Sequence, residues 1–321
     1  MTGRQAELLR LAWRILLLVV LLLLLLAAPA RAPAQEAPEI DWYGYVKLDA
    51  AWDESLVSSG NFARWVFSPE TFRTHGHFNM TARQTRVGFR ARTGLGEVEL
   101  TGRWEVDFYG GGAENRNSLQ VRLAYVEIAW PSGWRVVAGQ APDVISPLVP
   151  ATLNYTAAWW AGNTGYRRPQ LRVERTVGLG GGRTLLLQAA AARTIGDDFV
   201  EAEPGDAGAD SGRPTLQALA GLTVPLGPAS ITAGTWFHRG QEHLEEDGVR
   251  QEADLATSGW GVYWRVAAGA VSVSGEVWGG SNLDDFLGGV GQGLRLGEDV
   301  YTSVASSGGW ADVRVRRGPW S

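Results

Sequence analysis

The sequence contains no cysteine, which excludes disulfides and thiolate metal sites. Lysine is almost missing too. Lys47 is the only one, so nearly all of the 29 basic residues are arginines, the side chain suited to fixed, planar recognition of carboxylate and phosphate. Positive charge is also outweighed overall. The full chain carries a formal charge of −5 and has only four histidines, a balance that argues against general nucleic-acid binding. After Leu26 no segment approaches the ~18 consecutive apolar residues of a transmembrane helix.

One apolar run is present, Ile15–Leu26, behind Arg4, Arg10 and Arg14 and ahead of the small-residue sites Ala28-Pro29-Ala30 and Ala32-Pro33-Ala34. This is the pattern of a secretory signal peptide. The run is shorter than the ~20 residues a membrane span needs, so a retained helix is the weaker reading. The expected organisation is a signal peptide at 1–34, with Ala30 as the alternative cleavage site, and one domain at 35–321. Cleavage would remove four arginines against one glutamate and take the mature chain to about −8.

The mature chain alternates. In "GEVELTGRWEVDF" (96–108), Glu97, Glu99, Thr101, Arg103, Glu105 and Asp107 take one parity; Val98, Leu100, Trp104, Val106 and Phe108 take the other. Strand side chains alternate between faces, so the segment has a charged wall and an apolar wall. The pattern recurs at 41–53, 81–93, 119–130, 134–140, 170–176, 184–193, 215–223, 230–239, 259–266, 271–277 and 308–316, giving about twelve strands and no helix. The connections alternate as well. Short ones at Gly94-Leu95, 131–133, 177–182, 225–228 and 268–269 alternate with long loops at 54–80, 109–118, 141–167, 194–214, 240–256 and 279–303. A soluble sandwich has no reason to gather every long loop at one end, whereas an outer-membrane barrel does. Trp42, Trp52, Trp104, Trp130, Trp134 and Trp260 fall near strand ends, where interfacial girdles belong. The fold expected is all-β: a transmembrane antiparallel up-and-down β-barrel whose apolar wall meets lipid.

The segments "WYGYVKLDAAWDE", "TARQTRVGFRART", "GEVELTGRWEVDFYGG", "LQVRLAYVEIAW", "RVVAGQAPDVISPLVPATLN" and "GYRRPQLRVE" occur in that order. Their order and spacing resemble Gram-negative porins of the DcaP-like family, with a weaker likeness to phosphate-selective porins. The resemblance is best over 41–176. It implies a sixteen-stranded homotrimeric barrel in contact with outer-membrane lipid and lipopolysaccharide, passing small, often anionic, solutes. Two departures stand out. Members of the family can carry an N-terminal coiled coil, whereas only Gln35–Ile40 precede the first strand here. The chain also stops at "RVRRGPWS" rather than on a strand with a terminal aromatic, so about four further strands are expected to complete the barrel.

A two-residue turn at Gly94-Leu95 sets the expected register of the hairpin around it. Arg92 then meets Glu97 and Arg90 meets Glu99, as compensated pairs on the lumen wall. Arg86 falls beside Arg103, and this like-charge pair points either to an anion site or to neutralisation by an acidic group from a loop or a distant wall. Glu105 and Asp107 share the wall. A bulge near Ala124 would bring Arg122 and Glu127 to the same lumen, and Arg135, Arg172 and Glu174 extend it. The resemblance makes loop 141–167 the constriction, with Asp143, Asn154 and Tyr155 towards the pore. Asp143 facing the arginine wall would set up a transverse field. Trp159-Trp160 are read as packing the loop against the barrel.

Enzymatic readings fare poorly. "THGHF", with His75 and His77, has no carboxylate nearby and offers at most a weak surface metal site. His238 follows lumen parity with no serine beside it, so no nucleophile–base pair forms; His243 lies in a loop. "GGVGQG" follows no strand-to-helix pattern, and Asp197-Asp198 and Asp284-Asp285 read as solvated loop acids. No cofactor, resident metal or nucleic-acid partner is expected. Two functions remain: passive diffusion of small hydrophilic solutes with a preference for anions such as carboxylates, or a non-conducting structural or adhesive barrel.

Overall fold

The computed structural model describes residues 37–57, 66–68, 70, 76–110, 117–153, 155, 159, 162–194, 211–244, 253–286, 293–296 and 301–316. The signal segment, His75, Asn154, Trp160 and Asp197-Asp198 lie outside these. In chain order the strands are β1 (Glu39–Tyr45), β2 (Asp49–Asp53), β3 (His77–Thr81), β4 (Arg86–Leu95), β5 (Val98–Asp107), β6 (Gln120–Ala129), β7 (Trp134–Pro142) and β8 (Arg167–Gly178). They continue as β9 (Thr184–Ala192), β10 (Thr215–Leu226), β11 (Ala229–Leu244), β12 (Ala253–Ala268), β13 (Val271–Ser281), β14 (Leu294–Leu296), β15 (Tyr301–Ser303) and β16 (Ala305–Val315). Twelve of them form one antiparallel sheet in the order β1-β4-β5-β6-β7-β8-β9-β10-β11-β12-β13-β16, an up-and-down meander. Among the described residues there is no α-helix; Asp284–Phe286 forms a 3-10 turn.

The polarity of this sheet is inverted relative to a soluble protein. Leu216 is 58% exposed and its neighbour Gln217 only 3%; Val277 is 44% exposed and Glu276 0%. Phe237 and Val173 are exposed while His238 and Glu174 are buried. A soluble sheet buries its apolar side chains, whereas a membrane barrel presents them to lipid and turns its polar set inward. The outward side chains follow that rule. Trp42, Phe89 and Trp104 form one aromatic row across β1, β4 and β5, with ring centroids 5.3 and 5.9 Å apart.

The sequence expectations need four corrections. The segments 41–53 and 81–93 are each split, because the Thr85 hydroxyl accepts from the Lys47 backbone N–H (3.1 Å) and donates to its carbonyl (3.3 Å), replacing the sheet ladder there. Asp49–Asp53 pairs instead with His77–Thr81 in a loop hairpin, which takes Trp52 off the main wall. Gln84 therefore sits ahead of β4, where it accepts a hydrogen bond from Lys47 Nζ (2.6 Å). The β4–β5 turn is Gly96-Glu97 rather than Gly94-Leu95. Gly96 has φ 63°, and glycine with positive φ at the first central position is what a tight II′ hairpin turn requires. This slides the pairing by an even number of residues, so every side chain keeps its face and changes its height.

The lumen side is divided. On β10–β13 it carries Leu219, Trp236, Tyr263 and Trp278, which join Val144, Ile145, Leu283 and Phe286 in one buried cluster. Trp236 lies flat across the wall because Gly261 opposes it; a Cβ there would come within 2.3 Å of the indole. On β4–β8 the same side is charged. Asp284, expected as a solvated loop acid, is buried at the edge of the apolar half.

Candidate functional site

The segment that leaves β7 at Pro142 and enters β8 at Arg167 turns inward and is fastened at both ends and in the middle. Asp143 forms an ion pair with Arg168 Nε (2.8 Å) and accepts from Gln217 Nε2 (2.9 Å) and the Tyr166 backbone N–H (2.8 Å). Glu276 on β13 accepts from the Ser146 hydroxyl (2.5 Å) and the Leu148 N–H (2.9 Å), and Asp312 on β16 from the Ala151 N–H (3.0 Å). Trp278 Nε1 donates to the Gly162 carbonyl (2.7 Å). The Phe286 carbonyl accepts from Gly165 N–H (2.7 Å) and the Thr164 hydroxyl (2.6 Å). Val144 and Ile145 complete the apolar cluster. The segment thus rests on the apolar half of the wall and faces the charged half across a cavity of about 470 Å³.

The charged half is organised by Glu105. Arg122 Nε donates to Oε1 (3.1 Å), Arg86 Nη1 lies 3.3 Å from it, Arg103 Nη2 lies 3.5 Å from Oε2, and the Tyr43 hydroxyl donates to Oε2 (3.0 Å). Arg122 also binds Asp107. Arg86 and Arg103 are therefore neither directly opposed nor uncompensated, which corrects the expected anion pair. With the turn at Gly96-Glu97 it is Arg90 that faces Arg103. Among the described residues Arg90 has no ion-pair partner. Arg92 pairs with Asp41 on β1, not with Glu97, and Glu99 lies opposite Gly94. The bulge falls at Arg122, where Glu105 pairs with Leu123 and Val106 with Val121. It turns Arg122 inward, and Glu127 shares that wall through its ion pair with Arg135 (3.2 Å). Arg135 also meets Glu174 (3.2 Å), as does Arg172 (2.8 Å).

The constriction residues divide by role. Asp143 lies at the cavity rim, but its carboxylate is committed to the fully buried Arg168, so the expected transverse field does not arise from it. Tyr155 is buried between the rings of Tyr109 (5.5 Å) and Trp159 (5.0 Å). Asn154 lies outside the described residues.

Sequence reading missed Arg167. It lines the cavity with Arg86, Arg103 and Arg122, its guanidinium lies over the Tyr166 ring (4.9 Å), and among the described residues it has no acidic partner. Strand parity would send it outward, because Arg168, Gln170 and Glu174 are the buried set. Parity fails at this first strand residue, where the chain is emerging from an inward-folded segment. The adjacent pair "RR" in "GYRRPQ" was the available signal: one arginine serves Asp143 and the other faces the cavity.

The model of the DcaP outer membrane protein family matches residues 29–201, more than half of the chain. The chain belongs to the DcaP outer membrane protein family. Its place is the outer membrane, and its architecture is that of a porin barrel. Among solved structures it is similar to the outer membrane channel DcaP of Acinetobacter baumannii, with TM-score 0.60 at 20% identity over 85% of this chain and 74% of that one. A loop-deletion form of the outer membrane protein OmpT of Vibrio cholerae follows at TM-score 0.45 and 12% identity, covering 77% of this chain and 70% of that one. That likeness is too weak to add to the fold assignment. No curated protein matches the chain significantly.

Proposed function

We propose that this DcaP-family chain is a passive diffusion pore for small hydrophilic solutes that favours anions such as carboxylates. The path runs between the inward segment and the β4–β6 wall. The single observation carrying this reading is a surplus of positive charge at the cavity. Arg86, Arg103, Arg122 and Arg167 line it, against Glu105 and the adjoining Asp107, while Asp143 is taken up by Arg168. In a narrow lumen with poorly hydrated walls, such a surplus attracts anions more strongly than it would in bulk water. Arg90, Arg92, Arg135 and Arg172 would extend the positive lining along the path. The proposal includes export by removal of residues 1–34 and assembly as a homotrimer in contact with lipopolysaccharide.

Reversal potentials in planar bilayers test the reading. Arg86→Ala combined with Arg103→Ala should move the potential towards cations, and the shift should shrink as salt rises and the Debye length falls. Glu105→Gln should move it the other way, because it frees three guanidinium groups from one carboxylate. If both variants keep the parent's potential at low salt, these arginines are scaffold. The buried apolar cluster favours a second reading, a plugged structural barrel. Absence of ohmic steps from correctly folded protein would select it.

A further inference from the structure

A second feature lies on the outside of the wall. The register sets two rows of outward residues side by side: Val173, Ala189, Ala218 and Phe237 in one, and Arg175, Leu187, Ala220 and Thr235 in the next. The central alanines leave a floor between the taller Val173 and Leu187 on one side and Phe237 on the other. The result is an apolar groove of about 440 Å³ on the lipid-facing surface.

The groove ends at a charge. Arg175 pairs with Trp134, the first residue of β7 after the short Pro131–Gly133 turn, and so lies at the end of the barrel that faces the periplasm. Its guanidinium sits over the Trp134 ring (5.2 Å) and one N–H donates to the Ser132 carbonyl. Among the described residues no carboxylate lies within ion-pair distance of it. A cation on the lipid face of a barrel is unfavourable unless it lies at the interface and finds an anion there. Tryptophan marks that interface. An apolar channel rising into the bilayer from an unneutralised arginine at headgroup level is complementary to one kind of molecule, with a phosphate at one end and a hydrocarbon chain at the other.

We propose that this groove is a binding site for a phospholipid of the periplasmic leaflet, with one acyl chain over Ala189, Ala218 and Ala220 and the phosphate on Arg175. The site depends on the membrane orientation of the barrel and not on the pore reading, so either can fail alone.

The test is native mass spectrometry of the detergent-solubilised full chain titrated with dioleoyl phosphatidylglycerol. The parent should retain one lipid per chain. Arg175→Gln should weaken retention roughly tenfold, the scale of one charge-assisted contact to phosphate. Ala220→Trp, which fills the floor, should weaken it comparably, and Arg183→Gln on the exposed β8–β9 turn should leave it unchanged. Dioleoylglycerol, which lacks the phosphate, should bind the parent as weakly as phosphatidylglycerol binds Arg175→Gln. If Ala220→Trp does not fold, the Arg175→Gln and dioleoylglycerol comparisons decide alone. Unchanged retention in Arg175→Gln, or no preference for phosphatidylglycerol over dioleoylglycerol, overturns the proposal. If Ala220→Trp lowers the subunit count while Arg175→Gln retains lipid as the parent does, the groove is an interface between copies of this chain and the proposal is wrong.

Discussion

Asp143→Ala is expected to destabilise the barrel by about 3–5 kcal/mol, the cost of stranding a buried charge by removing its partner. The guanidinium left behind belongs to Arg168, which is 0% exposed and whose Nε lies 2.8 Å from the Asp143 carboxylate. The same substitution removes the acceptor for Gln217 Nε2 and for the Tyr166 N–H, so both ends of the inward segment come loose together. Single-channel conductance should rise and become noisier, because the segment now samples positions off the apolar half of the wall. Asp143→Asn should recover part of the stability, since its amide oxygen still accepts hydrogen bonds, but it cannot neutralise Arg168. Thermal unfolding of the two variants in one detergent checks the order: parent, then Asn, then Ala. If Ala matches the parent in stability and conductance, Asp143 does not fasten the segment.

Val262→Arg should be the costliest change on the outer surface. Val262 lies mid-strand in β12, is 40% exposed and sits beside Val277, which is 44% exposed. An arginine near the bilayer midplane on the lipid face of a barrel costs about 2–4 kcal/mol. Thr101→Arg is the matched control, because Thr101 lies on the lumen wall opposite Glu127, where water and a carboxylate await the charge. Folding into vesicles at graded urea should separate the two clearly. Equal tolerance would mean that the exposed apolar face does not meet lipid.

The face of most residues in the main sheet is legible in the sequence, Arg167 at the start of β8 excepted, and their height is not. Parity depends only on alternation, and a wrong choice would have placed Glu105 and Arg103 in lipid. Height depends on which glycine takes the turn, and "TGLGE" offers both Gly94 and Gly96 in the same alternating pattern. The two choices preserve parity and differ in which arginines meet. For that reason the choice of turn leaves the inward-facing set of residues unchanged and re-pairs its charges. The hub role of Glu105 followed from the corrected height and from the bulge at Arg122, where three strands contribute charge to one carboxylate. The internal fastening of the inward segment was unreadable for a different reason. Val144 and Ile145 sit in a stretch with no strand or helix period, and their partners Leu219, Trp236 and Phe286 are far along the chain. β3 and the hairpin β14–β15 are short and lie in long polar connections, where periodicity has too few residues to register, whereas β2 continues the alternation of β1 and its separate pairing leaves no mark in the sequence.

The most direct measurement is the reversal potential of the parent protein in a planar bilayer under a potassium chloride gradient at low salt. Stable ohmic steps with a potential displaced towards chloride, declining as salt rises, are the result this account predicts. A silent membrane, or steps displaced towards potassium, would contradict it.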